Sequence, residues 1–267
     1  MSSPNETASS SKTPFFIDTH SHLDAAEFDA DRDAEYARAR SGGVAILIVP
    51  SVTRDNFAAV SATCARYPGC LPAWGLHPML IASHRPEHLA DLRAQVEAQR
   101  PVAIGEIGLD FFVRELDPAT QEHYYVEQLK IARDFDLPVL LHCRKSSDVL
   151  LKHLRQIKLP GGIAHAFNGS AQQAAAFIQL GFKLGFGGAF TWPRANHLRR
   201  LAVDLPLESI VLETDSPDMP PVWIGQGRNA PGELPRIAAE LALLRGMTVE
   251  DVAAATTRNA RERLNLA

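Results

Sequence analysis

Residues 15–22 read Phe15-Phe16-Ile17-Asp18-Thr19-His20-Ser21-His22, an apolar run that leads directly into a pair of histidines. Such a run predicts a short strand whose end carries metal-ligand side chains. The same arrangement recurs at four later places: Ala103-Ile104-Gly105-Glu106, Val139-Leu140-Leu141-His142, Gly162-Ile163-Ala164-His165 and Ile210-Val211-Leu212-Glu213-Thr214-Asp215. When strands are parallel, such ends all face the same way. The five segments together predict a metal site at one rim of a parallel sheet.

Strand-like and helix-like runs alternate along the chain, which predicts an α/β fold built from parallel βα units. The strand candidates are residues 15–19, 44–50, 71–75, 101–106, 138–142, 161–165, 182–187 and 209–214. The helical candidates are residues 28–41, 54–67, 86–99, 118–136, 146–158, 170–180, 194–203 and 233–246. A further helix is predicted to begin after Thr248, which can cap it together with Asp251.

Eight strands are the number that closes a single (β/α)8 TIM barrel, with the last helix as an extra C-terminal element. An open doubly wound sheet is the alternative fold. The ligands after the first strand and the carboxylates after the eighth must meet at one site, however. Closure of a barrel brings these two strands together, whereas an open sheet could leave them far apart. The barrel is therefore the predicted fold.

The composition is typical of an ordinary globular protein of the cytoplasm. The chain has 267 residues, of which 46% are hydrophobic and 22% charged, and about 250 residues is usual for such a barrel. No apolar run approaches the ~20 residues that span a membrane. Residues 1–13 are rich in Ser, Thr and Asn and read as a disordered tail, which leaves residues 14–267 for the barrel domain. Three cysteines without a pairing pattern indicate a reducing compartment.

The donors at the strand ends are suited to divalent transition ions. They are His20, His22, Glu106, His142, His165 and Asp215. Any one of these histidines alone could be an ordinary surface or core residue. Six donors at equivalent positions are too many for one catalytic ion that keeps an open position, so two ions that share Glu106 are expected. Their identity stays open among Zn, Mn, Mg, Co and Ni.

Charge favours an anionic substrate at this site. Neutral imidazoles and two carboxylates leave part of the charge of two divalent ions uncompensated, which suits a phosphate ester better than a neutral amide. The net charge of the chain is −4, so it offers no general attraction to a polyanion. Phosphates would have to be drawn by local charge, chiefly by the metals.

Seven segments between residues 17 and 231 carry a more specific pattern. They are Ile17-Asp18-Thr19-His20-Ser21-His22-Leu23-Asp24, Gly75-Leu76-His77-Pro78, Gly105-Glu106-Ile107-Gly108-Leu109-Asp110, His142-Cys143-Arg144, His165-Ala166-Phe167-Asn168-Gly169, Glu213-Thr214-Asp215-Ser216-Pro217 and Arg228-Asn229-Ala230-Pro231. With these segments in this order, the chain resembles the TatD family of metal-dependent deoxyribonucleases, a branch of the amidohydrolase-like TIM barrels. The resemblance covers nearly the whole predicted domain.

The resemblance implies how the donors divide between two metals. One metal would be held by His20, His22, Glu106 and Asp215, and the other by Glu106, His142 and His165. Asp215 is also expected to take the proton of the attacking water. Asp215 and Glu106, the ligand that both metals would share, are therefore the expected catalytic residues.

Four further residues are expected to support this site. The resemblance implies that His77 contacts a substrate phosphate, and a turn histidine held by Pro78 is the alternative. Arg144 could grip a phosphate oxygen, or it could be a solvated surface residue. Asp18 and Glu213 each precede a ligand by two residues and are expected to orient ligands from behind.

The resulting hypothesis is a metal-dependent hydrolase that cleaves phosphodiester bonds in DNA. No zinc-finger, RNA-recognition or basic-helix motif is present, so DNA would be bound through its phosphates without sequence specificity. A monomer without membrane contact is expected. Two alternatives stay open: hydrolysis of a small ester, lactone or amide on the same barrel, and a metal-dependent scaffold that binds a protein without turnover.

Overall fold

A computed structural model of the protein describes residues 15–266. The tail predicted over residues 1–13 lies outside the described residues, and so does the start of the barrel domain at residue 14. Both boundaries therefore stay predictions.

Eight parallel strands form one sheet in which the spatial order follows the chain order. Their bounds are β1 (Phe16–Asp18), β2 (Val44–Pro50), β3 (Cys70–Trp74), β4 (Ala103–Asp110), β5 (Val139–Arg144), β6 (Gly162–Ala164), β7 (Phe182–Phe186) and β8 (Ile210–Leu212). Each strand pairs with the next through parallel ladders. Each of the eight runs that were predicted as strands overlaps one of them.

Backbone hydrogen bonds between the ends of β8 and β1 close the barrel. The amide of Thr19 donates to the carbonyl of Leu212 (3.1 Å), and the amide of Asp215 donates to the carbonyl of His20 (2.8 Å). One step further, Ser21 and Ser216 form a parallel bridge. The predicted barrel is confirmed, and its closure falls within the segments that carry His20 and Asp215.

Nine α-helices surround the sheet in the described part of the chain. Their bounds are α1 (Arg32–Ser41), α2 (Phe57–Arg66), α3 (Glu87–Ala98), α4 (Pro118–Asp134), α5 (Ser147–Gln156), α6 (Ala171–Gln179), α7 (Asn196–Asp204), α8 (Leu234–Arg245) and α9 (Val249–Leu264). Thr248 caps α9 as predicted, because its hydroxyl accepts from the amide of Asp251 (3.1 Å). Within residues 15–266, none of the helices combines the length and the apolarity needed to cross a membrane.

The extra C-terminal helix packs against the interior of the barrel. A compact apolar cluster fills that interior with one side chain from each of seven strands, namely Ile17, Ile48, Ala73, Ala103, Leu140, Ile163 and Val211. Ala260 and Leu264 of α9 belong to the same cluster. The barrel is therefore a packed core rather than a pore. A second and larger cluster lies between the strands and the outer helices.

Strand β4 is longer than predicted, and this difference changes the position of Glu106. The predicted strand over residues 101–106 ends at Glu106, but the observed strand continues to Asp110. Gly108 and Asp110 interrupt the apolar run, which is why the sequence pattern does not reveal the extension. Glu106 consequently lies in the middle of a strand rather than at its end.

A register irregularity in β4 accounts for the way Glu106 reaches the site. Ile104 pairs with Val139, and the next pair is Ile107 with Leu141. Between these two pairs β4 therefore contains one residue more than β5. An extra residue of this kind bends a strand and re-aims a side chain. The bulge places the carboxylate of Glu106 among the histidines while its backbone stays within the sheet.

Gly75 is required where β3 passes β4 at this bulge. A Cβ atom at Gly75 would lie 2.6 Å from the carbonyl carbon of Gly105 and 2.7 Å from the carbonyl oxygen of Glu106. Both are backbone atoms and cannot move independently of the strand. A glycine therefore allows the backbone that carries Glu106 to sit where it does.

We expect Gly75→Ala to destabilise the protein by about 1–3 kcal/mol, the usual cost of forcing extra volume into a packed region. Gly42→Ala is the matched control, because a Cβ there would lie 3.3 Å from a side-chain carbon of Pro235 and otherwise meets no close atom. Urea unfolding of both variants checks the expectation. Equal unfolding midpoints for the two variants would show that the close approach at Glu106 is not a constraint.

Candidate metal centre

All six predicted donors lie together: His142 and Glu106 lie within β5 and β4, and the other four follow the ends of β1, β6 and β8. Three groups can be drawn in which the donor atoms are within 4.8 Å of one another: His20 with Glu106 and His165, His20 with His22 and Asp215, and His77 with Glu106 and His142. The groups overlap at His20 and at Glu106, so they form one continuous cluster. His77, which was predicted as a phosphate contact, also belongs to it.

The two carboxylate oxygens of Glu106 face two different sets of histidines. Oε2 lies 3.1 Å from Nε2 of His20 and 3.8 Å from Nε2 of His22. Oε1 lies 3.0 Å from Nδ1 of His142 and 3.1 Å from Nε2 of His77. Glu106 is thus the side chain that joins the two halves of the cluster.

Asp215 spans the cluster on its other side. Its Oδ1 lies 3.8 Å from Nε2 of His20 and 3.9 Å from Nε2 of His22, while Oδ2 lies 3.5 Å from Nε2 of His165. The rings of His20 and His165 stack with their centroids 3.8 Å apart. These contacts bring the residues after β1, β6 and β8 to one point, as their positions at strand ends predicted.

The orientation of His142 is set by Asp110. Nε2 of His142 lies 3.0 Å from Oδ2 of Asp110 and Nδ1 lies 3.0 Å from Oε1 of Glu106, so a carboxylate faces each ring nitrogen. A carboxylate behind an imidazole is the usual support for a metal-ligating histidine. Sequence reasoning did not assign this role to Asp110, because β4 was expected to end before it. The role follows from the register of β4 against β5, with Gly108 opposite His142, which the sequence pattern does not reveal.

Glu213 stands in the same relation to His165. Its Oε1 lies 3.0 Å from Nδ1 of His165 and also accepts a hydrogen bond from the amide of Ala166 (2.6 Å). The contact between Oε1 of Glu213 and Nδ1 of His165 is short but poorly aligned for a hydrogen bond, so Nδ1 has no hydrogen-bond partner of good geometry. A carboxylate at this distance still favours a proton on Nδ1. Gly185 leaves the space for it, because a Cβ there would lie 2.2 Å from Oε2 of Glu213.

His77 presents a proton to the cluster rather than a lone pair. Its Nδ1 accepts a hydrogen bond from the amide of Met79 (3.2 Å), so the proton of the neutral ring is on Nε2. That Nε2 is the atom 3.1 Å from Glu106. Burial lowers the pKa of His77, and the nearby Glu106 only partly offsets this effect. The geometry suits a donor to an oxygen anion better than a metal ligand.

Asp18 contacts backbone rather than an imidazole ring. It accepts hydrogen bonds from the amide of His20 (3.2 Å) and from the amide (2.9 Å) and hydroxyl (2.7 Å) of Thr214. Burial raises the pKa of Asp18 to about 7 in spite of these hydrogen bonds. Asp18 therefore joins the ends of β1 and β8, and it positions His20 through the main chain.

Arg144 lies at the rim, outside the cluster of donors. Its guanidinium sits 4.0 Å from the ring centroid of Phe112, and Nη1 is 3.9 Å from Oδ2 of Asp110. About half of the side chain is exposed. The structure thus places Arg144 next to the carboxylate that supports His142, where it can reach a ligand that enters from solvent.

The electrostatics of the cluster keep its two carboxylates ionised. Burial alone would raise the pKa of Glu106, but the surrounding histidines, chiefly His77 and His20, hold it well below its usual range. In the same way, burial is outweighed at Asp215 by His165 and the other histidines, and its pKa is lowered. Ionised carboxylates are the form that binds cations.

The imidazoles of the cluster complete a donor set that fits divalent transition ions. Burial lowers the pKa of His20, so its ring is neutral near pH 7. Burial would also lower the pKa of His142 and of His165. Their carboxylate neighbours outweigh it, so both pKa values are raised. An ion bound by these two rings must therefore displace protons, and its binding should be pH-dependent.

Comparisons with known proteins agree on one family. The family model described as TatD related DNase matches residues 17–265. The chain is 42% identical over 248 residues to the uncharacterized metal-dependent hydrolase YjjV of Escherichia coli strain K12, which covers 91% of this chain and 95% of the relative. It is 36% identical over 246 residues to the 3'-5' ssDNA/RNA exonuclease TatD of Cronobacter sakazakii, covering 90% of this chain and 94% of the relative.

Two solved structures are similar to this chain in fold. The crystal structure of YjjV, a TatD homologue from Escherichia coli K12, is similar to this chain with a TM-score of 0.90 at 41% identity. The similarity covers 94% of this chain and 98% of that one. A hydrolase of the TatD family from Entamoeba histolytica shares the fold with a TM-score of 0.84 at 20% identity, covering 96% of this chain and all of that one (100%).

We expect Glu213→Gln to lower the affinity of the centre for Zn²⁺ or Co²⁺ by about 10- to 100-fold, the usual effect of removing a carboxylate that supports a ligating histidine. Titration of metal-depleted protein against a competing chelator measures this affinity. Glu122→Gln is the matched control, because Glu122 pairs with His153 on the outer helices, away from the cluster. Unchanged affinity in a folded Glu213→Gln variant would exclude the supporting role.

Proposed function

Because the chain belongs to the TatD related DNase family, we propose that it is a metal-dependent hydrolase that cleaves phosphodiester bonds in DNA. Two relatives support this proposal: one is named a metal-dependent hydrolase, and the other a 3'-5' exonuclease of single-stranded DNA and RNA. The observation in the structure that carries it is the position of Glu106, whose two oxygens face two separate sets of imidazoles.

We propose that the cluster holds two divalent ions that share Glu106. Oε2 of Glu106 lies on the side of His20, His22 and Asp215, which would hold one ion. Oε1 lies on the side of His142, and this residue and His165 would hold the other. In both His142 and His165 a carboxylate faces the nitrogen on the far side of the ring, so loss of the other ring proton would leave a lone pair toward an ion. When bound, such ions lower the pKa of water and stabilise charge on phosphate oxygens.

Asp215 is proposed as the base that accepts the proton of the attacking water. Its pKa is lowered, because the effect of burial is outweighed by His165 and the other histidines, so it is ionised at neutral pH. It also keeps some contact with solvent, since its side chain is 15% exposed. Glu106 is only 3% exposed and both of its oxygens already face imidazoles, so it serves as a ligand and not as the base.

His77 and Arg144 are proposed to bind the phosphate of the substrate. Nε2 of His77 carries a proton and points at the Oε1 side of Glu106, where a phosphate oxygen could take its hydrogen bond. Arg144 can approach a second oxygen from the rim. These local groups matter because the chain as a whole has a net charge of −4.

The experiment that tests this proposal compares the wild type with Asp215→Asn on a single-stranded DNA oligonucleotide. Metal-depleted wild-type protein should be inactive and should regain cleavage when Mn²⁺, Zn²⁺ or Co²⁺ is added. Asn can still offer one oxygen to a cation but cannot accept a proton at neutral pH. We therefore expect kcat of Asp215→Asn to fall by on the order of a hundredfold, with metal content largely retained.

Two results would contradict the proposal. Turnover of a panel of lactones, amides and small carboxylic esters without DNA cleavage in any metal would favour the small-ester hydrolase. Metal binding without turnover of any of these substrates would favour the scaffold. Near wild-type kcat in Asp215→Asn would leave the phosphodiesterase in place and remove only the proposed base.

A further inference from the structure

A groove of about 710 Å³ opens beside the candidate metal centre, between the loops that follow β4, β5 and β6. Phe112 comes from the first of these loops, Arg144 from the end of β5, Lys145 from the loop that follows it, and Asn168 from the third loop. The volume is within the range of pockets that hold small ligands. None of the roles proposed so far requires a space of this size.

The groove lies beside the centre, because Arg144 in its wall has Nη1 3.9 Å from Oδ2 of Asp110, the carboxylate that contacts His142. Cys143, which follows His142 in the chain, lines the groove. Asn168 lines both the groove and a small cavity of about 60 Å³ that is bordered by Asp215 and Glu213. A ligand that lies in the groove would therefore lie next to the rim of the centre.

Phe112 offers an aromatic surface at the wall of this groove. It is 56% exposed, the largest exposed fraction of any Phe, Tyr or Trp in the described part of the chain. The guanidinium of Arg144 stacks 4.0 Å from its ring centroid. A flat ring that stays this open, beside a planar cation, is a platform on which a nucleobase can stack.

The platform is held at a fixed position relative to the metal centre. The amide of Phe112 donates a hydrogen bond to Oδ1 of Asp110 (2.9 Å). The other oxygen of Asp110 lies 3.0 Å from Nε2 of His142. One buried carboxylate thus orients a candidate ligand and the start of the loop that carries the aromatic ring.

The charge of the groove fits an anionic ligand. Arg144 and Lys145 are its basic residues, and Asp148 is its one acidic residue. Oδ1 of Asp148 accepts a hydrogen bond from the side chain of Gln173 (2.9 Å), which partly satisfies that carboxylate. A ligand that is both flat and anionic uses the ring and the two cations together. A neutral ester or lactone would leave the cations without a counter-charge.

We propose that this groove is a nucleotide subsite, in which the base next to the cleaved phosphodiester stacks on Phe112 while Arg144 and Lys145 contact the adjoining phosphate. This inference rests on the proposed function and adds to it the part of the substrate that the protein recognises. Stacking would not distinguish one base from another, because every base has a flat face.

The test is a double-mutant cycle between Phe112 and the base. Short single-stranded oligonucleotides carry an abasic residue at one position on either side of the cleaved bond, and the initial rate of the first cleavage gives kcat/KM. For the wild type, the abasic residue at one position should lower kcat/KM by about tenfold, the size expected for one stacked base. Phe112→Ala should lower kcat/KM for the intact oligonucleotide by a similar factor, and the same abasic residue should then cost nothing further.

Two further variants separate stacking from general loss of apolar surface. Phe112→Trp should restore the sensitivity to the abasic residue, because indole also stacks on a base. Leu243→Ala removes a side chain that is 75% exposed on α8 and should leave all rates unchanged. If the abasic residue costs Phe112→Ala as much as the wild type at every position, the subsite is excluded and the proposed function stands. If the wild type cleaves no oligonucleotide, both are excluded.

Discussion

The burial of the Glu106 carboxylate is the constraint on which the rest of the site depends. A buried negative charge is costly unless cations or hydrogen-bond donors surround it. Here the side chain is 3% exposed and is compensated by imidazoles that arrive from β1, β3 and β5. The bulge in β4 delivers the carboxylate, and Gly75 leaves room for the strand that carries it. The same charge that requires compensation in the protein makes the cluster a site for divalent cations.

The contacts that close the barrel also assemble the site. Asp18 receives hydrogen bonds from the amides of His20 and Thr214, and so it fixes the end of β1 against the end of β8. Behind the donors, Asp110 and Glu213 each stand against one imidazole. Because these carboxylates belong to the sheet or follow it directly, the positions of the donors are set by the barrel and not by mobile loops.

Much of this architecture could be predicted from the sequence, for identifiable reasons. Short apolar runs that alternate with segments of helical periodicity specify βα units. Because the segments that carry His20 and Asp215 must meet at one site, a closed barrel is favoured over an open sheet. The cap at Thr248 marks the additional helix, which the structure confirms. The six donors could be picked out because each follows or lies within an apolar strand, whereas their roles stay predictions.

Other features depend on the register between strands and could not be derived from sequence. The extension of β4 to Asp110 is set by pairing with β5, and it decides which carboxylate supports His142. The position of the proton on the His77 ring depends on the turn at Met79.

The most direct test of the shared metal centre is anomalous diffraction from crystals saturated with Mn²⁺ or Zn²⁺. We expect two ions per chain, each within coordination distance of a different oxygen of Glu106. A single ion at saturation, or two ions that do not touch Glu106, would contradict the shared centre.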